Sequence, residues 1–315
     1  ERASLRYFII LAPGVTATLM TLTGLMPGYA PLALLLFGVG VTIAAFHAPA
    51  PAMIARISGR QVGKGMSIFM AGGELARTVG PLLAVWGVSM WGLEGIWRLA
   101  ALGWGTSAVL YLRLRHIPAR PGQPPDLRAM IPAARRLFGP LLVVVIFRGF
   151  LLVSLAIYLP TFMEAEGAAL WVAGAALSVW ELAGVAGALA SGPLSDRVGR
   201  KPVLAVTIAV AAALMLVFVN VDGWLRVPVL LGMGLTLLST QPVLMATVQD
   251  QMPEHRAIAN GIFMTIMFAV QLLATLAIGA LGDAFGLRAA FLGSALAAFL
   301  AVPAIFWLPD KHTGV

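Results

Sequence analysis

Five ionisable side chains interrupt the long apolar runs of this 315-residue sequence, in which 60% of the residues are hydrophobic and 11% are charged. They are His47, Glu74, Arg77, Arg148 and Glu181. A charge at the centre of a membrane-spanning helix costs about 2.5–3.5 kcal/mol on insertion scales, so each is a candidate functional residue. A carboxylate that takes up and releases a proton beside an arginine is the minimal machinery for proton-coupled exchange. Glu74 and Glu181 are therefore candidates for proton coupling, and Arg77 and Arg148 for binding an anion or a counter-charge.

The same charges also fit two ion pairs with a purely structural role, and both interpretations stay open. Glu74 and Arg77 are three residues apart, which places them on one face of a helix. Arg148 lies about 13 Å from the start of its apolar run and Glu181 about 16 Å from the end of the next, at 1.5 Å per residue. The two therefore lie at similar depth on neighbouring antiparallel helices, and the spacing predicts that they can pair.

His47, the fifth of these ionisable residues, and two uncharged polar residues lie within or at the end of apolar runs. His47 comes just before Pro49 and Pro51, which loosen a helix and expose its carbonyl groups. Histidine titrates near neutral pH, so His47 is a coupling candidate, with a packing role as the alternative. Gln241 and Gln271 add uncharged hydrogen-bonding groups at depth and are candidates for contact with a substrate.

A second concentration of charge is GPLSDRVGRKP, residues 192–202, which we call the charged turn. It contains four charged residues, Asp196, Arg197, Arg200 and Lys201. A carboxylate at this point can cap a helix N-terminus, whose unpaired N–H groups carry roughly half a positive charge. The basic residues can pair with that carboxylate and with anionic lipid, and Gly192 lets a helix end approach a neighbour. The alternative is a tight turn whose charges only set the orientation of the chain.

These residues lie in or between apolar runs. As helices, the runs are long enough to cross a bilayer core of about 30 Å. Ten such runs follow one another, at 7–26, 31–55, 66–90, 96–114, 139–160, 169–191, 202–220, 227–248, 257–281 and 289–308. The mean hydropathy of +0.93 is far above what a water-soluble chain of this length tolerates. Glycine and proline within the runs are ordinary in closely packed membrane helices. The sequence therefore predicts an all-α polytopic membrane protein.

The basic residues are distributed unequally between the two sides of the predicted membrane. If the connections alternate, one side collects sixteen of the 21 Lys and Arg: Arg2, Arg6, Arg56, Arg60, Lys64, Arg113, Arg115, Arg120, Arg128, Arg135, Arg136, Arg197, Arg200, Lys201, Arg256 and Lys311. The opposite side holds Arg98, Arg226 and Arg288. Because cytoplasmic loops carry the excess of Lys and Arg, both ends of the chain are predicted to be cytoplasmic.

The composition argues against several classes of function. With no cysteine and four scattered histidines, the sequence offers no disulfide and no metal-ligand spacing, and we expect neither a metal nor a cofactor. It contains no phosphate-binding Gly-rich loop ending in Lys-Ser or Lys-Thr, and no span with a serine or aspartate beside a partnering base, so we expect neither an ATP-driven pump nor an enzyme. The net charge of +8 is divided among five loops without interleaved aromatics, which argues against nucleic acid as a partner.

Weak internal symmetry indicates two repeated halves. LFGVGVT at 36–42 matches LLGMGLT at 230–236, GMSIFM at 65–70 resembles GIFMTI at 261–266, and GIWRLA at 95–100 resembles GLRAAF at 286–291. In this register Glu1 corresponds to the charged turn, but only the second half has two spans before that turn. We therefore expect a twelve-helix protein of which about two N-terminal helices are missing here. A genuine ten-helix protein is the alternative.

The predicted organisation is an incomplete N-terminal bundle at 1–115, a cytoplasmic linker at 116–138 and a C-terminal bundle at 139–315. The linker begins with the proline-rich RHIPARPGQPPD. It continues with LRAMIPAARRLFG, which suits a short helix at the cytoplasmic interface or reflects only the excess of positive charge on that side.

This combination resembles the major facilitator superfamily, whose loops between helices 2 and 3 and between helices 8 and 9 carry the motif G-x-L-x-D-R-x-G-R-[KR]. Seven residues of the charged turn fit it: Gly192, Leu194, Asp196, Arg197, Gly199, Arg200 and Lys201. The topology resembles that family over the whole chain. The resemblance implies that Asp196 contacts the start of the helix that begins near Lys64, and that this contact latches the cytoplasmic side in one state.

Residues 46–87 are more narrowly similar to the fosmidomycin-resistance branch of drug exporters, with a His-Pro element and a glycine-rich fifth helix. Drug/proton antiporters have a typical sequence pattern in that helix, and Gly80 and Pro81 match it literally. The match predicts close packing and a proline kink at these two residues. The arginine that many antiporters carry in helix 4 falls on Leu34, so that coupling residue is absent.

The resemblance implies alternating-access transport of a small organic compound, as proton-coupled efflux by a monomer in a bacterial plasma membrane. The expected partners are lipid, the small-molecule substrate and protons. Two alternatives stay open. One is an uptake symporter for an organic anion, and the other is a transporter-like protein that no longer transports and serves as a membrane sensor or scaffold.

Overall fold

The computed structural model describes residues 5–116 and 127–309. Fourteen α-helices occur within these ranges: α1 Leu5–Thr21, α2 Tyr29–His47, α3 Pro49–Ile57, α4 Val62–Trp91, α5 Ala100–Leu114, α6 Leu127–Ala156, α7 Leu159–Ala165, α8 Leu170–Val198, α9 Arg200–Asn220, α10 Arg226–Met233, α11 Thr240–Gln251, α12 Arg256–Phe285, α13 Leu287–Phe299 and α14 Ala301–Phe306. Short 3₁₀ turns occupy Leu22–Leu25, Ile96–Leu99 and Gly223–Leu225, and a π-helical turn occupies Gly234–Leu238. The predicted all-α fold is confirmed.

Each of the ten predicted spans coincides with one helix or with a short series of helices. Within residues 5–116 and 127–309, eight helical segments are long and apolar enough to cross a membrane. The remaining two predicted spans correspond to α4 and to the 3₁₀ turn that continues into α5. Of these, α4 carries Glu74 and Arg77 among its apolar residues, which lowers its hydropathy.

One element boundary differs from the prediction. α6 runs without a break from Leu127 to Ala156, so the predicted interface helix and the span predicted at 139–160 form one helix. Pro132 and Pro140 lie inside it, as prolines do in membrane helices. Residues 117–126 of the predicted linker lie outside the described part of the structure.

Residue contacts divide the chain into two compact units. The first comprises Glu1–Met53 and Val79–Leu127, and the second comprises Ile54–Thr78 and Arg128–Val315. The first half of α4 therefore packs with helices of the C-terminal half. These contact units do not coincide with the predicted N-terminal bundle at 1–115 and C-terminal bundle at 139–315. The division of the chain into those two bundles stays a prediction.

In the first unit, small residues allow α1 to pack closely against α5 and α2. A Cβ atom on Gly103 would lie 2.3 Å from the Cβ of Ala17, and one on Gly14 would lie 2.7 Å from the ring of Trp104. The hydroxyl groups of Thr16 and Thr42 lie 2.8 Å apart and join α1 to α2. Small residues and hydroxyl pairs are the usual basis of helix association in lipid, where apolar side chains gain little by leaving their surroundings.

The second unit has a continuous apolar core that includes stacked aromatic rings. The centroid of Phe162 lies 4.6 Å from that of Phe291 and 5.7 Å from that of Phe218. By contrast, Leu272 and Leu273 on α12 are 62% and 64% exposed. Large apolar side chains on the outer face of a helix of spanning length indicate that lipid is the surrounding solvent.

The π-helical turn between α10 and α11 packs backbone to backbone on α8. A Cβ on Gly187 would lie 2.2 Å from the carbonyl oxygen of Leu235, and one on Gly234 would lie 2.2 Å from that of Trp180. Only glycine fits at these crossings. Because π-helical turns are frequent at functional sites, the residues that follow this one are of interest.

Candidate functional site

Most of the charged turn is helical. α8 continues through Gly192 to Val198 and α9 begins at Arg200, so Gly199 alone forms the turn. Gly199 has φ 105° and ψ 156°, a backbone conformation that side chains rarely adopt. The sharp corner places the guanidinium of Arg200 within 2.8 Å of the Asp196 carboxylate.

Asp196 contacts the N-terminus of α4. Its Oδ1 accepts a hydrogen bond from the N–H of Gly63 at 3.1 Å, and its Oδ2 accepts one from the N–H of Lys64 at 3.0 Å. These N–H groups belong to the first turn of a helix that begins at Val62, where unpaired donors and aligned peptide dipoles favour an anion. The contact that the family resemblance implied is present in the structure, and it joins two helix ends that are distant in the sequence.

Two glycines make this approach possible. A Cβ on Gly192 would lie 2.1 Å from the carbonyl oxygen of Gly63 and 2.0 Å from the Oγ of Ser67. A Cβ on Gly63 would lie 2.6 Å from the carbonyl oxygen of Gly192 and 2.7 Å from Oδ1 of Asp196. The sequence predicted a close approach at Gly192, and the family resemblance implied that its partner is the start of α4, but the role of Gly63 in that approach was missed.

We expect Gly192→Ala to destabilise the contact between α4 and α8. The added methyl group overlaps the backbone of Gly63, which cannot retreat without losing its hydrogen bond to Asp196, and overpacking of this kind costs about 1–3 kcal/mol. Thermal unfolding in detergent micelles should therefore show a lower midpoint. Gly174→Ala is the matched control, since Gly174 lies on the same helix and no described atom lies within 4 Å of a Cβ there. Equal midpoints for both variants would contradict the tight approach.

Arg200 links the charged turn to α11. Its side chain is 8% exposed, and its guanidinium lies 3.0 Å from Oδ2 of Asp250 as well as 2.8 Å from Asp196. It also donates to the hydroxyl of Ser195. Asp250 was missed in the sequence, where its signal is a single acid at the end of an apolar run. The arginine therefore holds Asp196 from one side while α4 binds it from the other.

The other residues of the charged turn have different surroundings. Arg197 and Leu194 are exposed. Lys201 donates from Nζ to the carbonyl of Phe306 at 3.4 Å, next to a cavity of about 430 Å³ between the charged turn and the ends of α11 and α14. Arg200 pairs with Asp196, as predicted for the basic residues of the charged turn.

Near the middle of α4, Glu74 lies buried with 3% of its side chain exposed and forms an ion pair with Arg77, as the spacing predicted. The Arg77 side chain is 59% exposed. On α8, half-buried Glu181 lies close enough to both residues to interact with them electrostatically. The structure thus brings two acids and one arginine together at depth.

Arg148 has a different partner from the one predicted. It is buried on α6, its Nε donates to the Oγ1 of Thr240, and Glu74 is the acid that interacts with it electrostatically. In the described part of the chain no ion pair joins Arg148 to Glu181, so that prediction is wrong. Equal depth does not determine how each side chain is rotated about its helix axis, and here Arg148 faces α11. We call Glu74, Arg77, Arg148 and Glu181 the membrane-depth cluster.

The remaining candidates are dispersed. His47 is half-buried at the end of α2, in the first unit, with its ring edge-on to that of Phe46. Gln241 lies in the first turn of α11, and Gln271 on α12 lines a cavity of about 10 Å³ together with Arg148. Gln271 is therefore the uncharged candidate that the structure places beside the membrane-depth cluster.

The packing predicted at Gly80 and Pro81 is not where α4 makes its close contacts. No described atom lies within 4 Å of a Cβ on Gly80, whereas Gly63 on the same helix is tightly packed. The side chain of Pro81 lies outside the described part of the structure.

A network of ion pairs that was missed in the sequence lies at the opposite ends of α8 and α9 from the charged turn. We call it the arginine hub: Glu166, Asp222, Arg226 and Arg288. Nη2 of Arg226 lies 3.0 Å from Asp222 and 3.2 Å from Glu166, and its guanidinium lies 5.5 Å from the centroids of two phenylalanine rings. Glu166 also contacts Arg288 at 3.3 Å. The spacing of four between Asp222 and Arg226 was the available signal.

Apolar helices of spanning length, ionisable groups at depth and a charged contact between distant helix ends define a polytopic transporter built from helices. The chain belongs to the Major Facilitator Superfamily, whose family profile matches residues 2–275. Membership establishes a multi-pass membrane protein that moves small molecules by alternating access.

Two curated relatives and one solved structure show the range of similarity. The uncharacterized MFS-type transporter YfnC of Bacillus subtilis (strain 168) is 24% identical over 315 residues, covering 96% of this chain and 77% of the relative. The fosmidomycin resistance protein of Escherichia coli (strain K12) is 26% identical over 291 residues, covering 89% and 70%. The crystal structure of the E. coli fucose:proton symporter FucP matches with a TM-score of 0.77 at 14% identity, covering 98% of this chain and 85% of that one.

Proposed function

We propose that the chain is a proton-coupled exporter of a small organic compound. The observation that carries the proposal is Glu74, a carboxylate that is 3% exposed at the middle of α4 and is ion-paired with Arg77. A buried carboxylate is costly to keep charged without a positive partner. Proton uptake by Glu74 therefore breaks its ion pair with Arg77, and loss of the proton restores that ion pair. Similarity to the fosmidomycin resistance protein of E. coli supports export as the direction.

In this proposal the contact between Asp196 and α4 is the conformational latch. It is made of charge-assisted hydrogen bonds at helix ends, which can break without exposing the apolar core. A contact that exists in one state and is absent in the other biases the equilibrium between them. The excess of basic residues on that side supports a cytoplasmic position for the charged turn and for both chain ends, in a plasma membrane and as a monomer.

The direction of proton movement tests the proposal. Proteoliposomes containing the reconstituted protein are loaded with fosmidomycin and a pH-sensitive dye, and are then diluted into fosmidomycin-free buffer. Antiport acidifies the lumen as the compound leaves, whereas an uptake symporter makes the lumen more alkaline. The sign of the pH change does not depend on the direction in which the protein is inserted. Antiport and symport can therefore be distinguished even when the orientation is mixed. A non-transporting sensor or scaffold shows neither pH change nor saturable counterflow.

We expect Glu74→Gln to abolish proton-driven transport while preserving exchange of the compound. Glutamine keeps the shape and a hydrogen-bonding oxygen for Arg77 but cannot take up or release a proton. Transport driven by a pH gradient should fall more than about tenfold, and counterflow without a gradient should change by less than about threefold. Glu94→Gln is the control, since Glu94 is exposed in the turn after α4. Full pH-driven transport by Glu74→Gln would rule out Glu74 as the coupling residue.

A further inference from the structure

The guanidinium of Arg148 is incompletely paired. The residue is 1% exposed, its Nε donates to Thr240, and its Nη1 is buried with no hydrogen-bond partner in the described part of the chain. Buried donors are nearly always satisfied in folded proteins, and an unsatisfied donor on a charged group is especially costly. The free Nη1 therefore marks a place where an acceptor belongs.

The hydroxyl of Thr240 is oriented so that it can only accept from Arg148. Thr240 is 0% exposed, and its hydroxyl donates to the carbonyl of Leu237 at 2.5 Å. A hydroxyl has a single proton, and here that proton is used in the bond to Leu237. The oxygen can therefore only accept the hydrogen bond from Nε of Arg148. Thr240 therefore determines which edge of the guanidinium is engaged and which edge remains open.

Thr240 is itself held by the π-helical turn. Leu237 belongs to that turn, and the turn packs tightly on α8, where a Cβ on Gly187 would lie 2.2 Å from the carbonyl oxygen of Leu235. No added side chain fits between the two elements. A site on such rigid elements holds its side chains in one geometry better than a site on a loop.

We infer that Thr240 is a positioning residue that aims Arg148 at an oxyanion of the transported compound, a carboxylate, phosphate or phosphonate group. The inference rests on the proposed transport function and adds the chemical class of its substrate. The planar donors of a guanidinium match the oxygen atoms of an oxyanion, and Nη1 has no hydrogen-bond acceptor among the described residues. Glu74 supplies the compensating negative charge while the compound is absent.

The space beside Arg148 and Gln271 has a volume of about 10 Å³. That is about the room that one water molecule needs, so the compound reaches Arg148 in another state of the alternating-access cycle. Gln271 lies at the same cavity and offers the compound a second hydrogen-bonding group.

The test measures binding rather than transport, so that it does not depend on proton coupling. Phenylphosphonate, benzoate and the neutral benzyl alcohol are titrated calorimetrically into the detergent-solubilised protein. We expect the two anions to bind more tightly than the alcohol. Thr240→Val, which has the same shape but cannot accept a hydrogen bond, should bind both anions at least about tenfold more weakly, because the Arg148 guanidinium is no longer held in the orientation that meets the oxyanion.

Thr240→Ser is the matched control, since it retains the hydroxyl, and it should bind the anions within about threefold of the unmodified protein. Thermal unfolding of each variant shows whether it is folded, and Arg148→Gln provides a second route to the same loss of anion binding. Equal anion binding by the valine and serine variants, or equal binding of alcohol and anions by the unmodified protein, would overturn the inference. Anion binding without proton movement in vesicles would instead contradict the coupling proposal alone.

Discussion

Replacing Asp196 with asparagine should open the contact between α4 and α8 at the charged turn. Asparagine retains one acceptor oxygen but loses the negative charge and one of the two acceptors that bind the N–H groups of Gly63 and Lys64. It also weakens the pairing with Arg200. Charge-assisted hydrogen bonds contribute about 1.5–3 kcal/mol each, so we expect a loss of about 2–3 kcal/mol. The population with an open contact should then rise roughly 30- to 150-fold.

The absence of cysteine from the sequence makes this result directly measurable. Ser67 is 1% exposed and lies at the crossing of α4 and α8, so Ser67→Cys creates a single thiol that is covered while the contact is closed. The rate of its reaction with a membrane-permeant maleimide should rise at least about tenfold when Asp196→Asn is added. Asp222→Asn in the same background is the control, because Asp222 lies beyond the opposite end of α9. An unchanged rate with Asp196→Asn would rule out the latch.

The sequence was informative where the chemistry is local. Ten apolar runs predicted the helices because the length of a spanning helix follows directly from the thickness of the bilayer. The pair of Glu74 and Arg77 followed from a spacing of three on one helix. The contact of Asp196 with the start of α4 was implied by a family motif, whose residues specify the partner even though it is distant in the chain.

What could not be predicted depends on how the helices rotate against each other. Arg148 and Glu181 were placed at similar depth, yet Arg148 faces Thr240 because close crossings of small residues decide which faces meet. Asp250 was missed for the same reason. The π-helical turn at Gly234–Leu238 has no signal in a single sequence beyond its glycine, and it determines where Thr240 lies.

The two ends of α8 and α9 carry charge networks of opposite character. At the charged turn, Asp196 binds backbone N–H groups at the start of α4. At the arginine hub, the side-chain carboxylates of Glu166 and Asp222 pair with a guanidinium whose side chain is 6% exposed. A contact that must open during transport is expected to be replaceable by water, whereas a buried hub is expected to hold the helix ends of one unit together.

Removing both acids that pair with Arg226 should therefore destabilise the second unit strongly. In the double variant Glu166→Gln with Asp222→Asn, the guanidinium stays buried against two phenylalanine rings but loses both negative charges. An uncompensated buried charge typically costs about 3–5 kcal/mol. We expect the midpoint of thermal unfolding in detergent to fall by several degrees, without any change in the maleimide reactivity of Ser67→Cys at the opposite end.

Adding Arg226→Met to that double variant should restore most of the stability, because an apolar side chain of similar volume has no charge to compensate and fills the same space. Arg288→Ala is the control for simple loss of an ion pair to Glu166. Its side chain is 50% exposed, and exposed pairs contribute about 1 kcal/mol or less. If the triple variant is less stable than the double variant, Arg226 stabilises the helix ends through its contacts with the rings and the backbone rather than through charge, and the hub is not an electrostatic device.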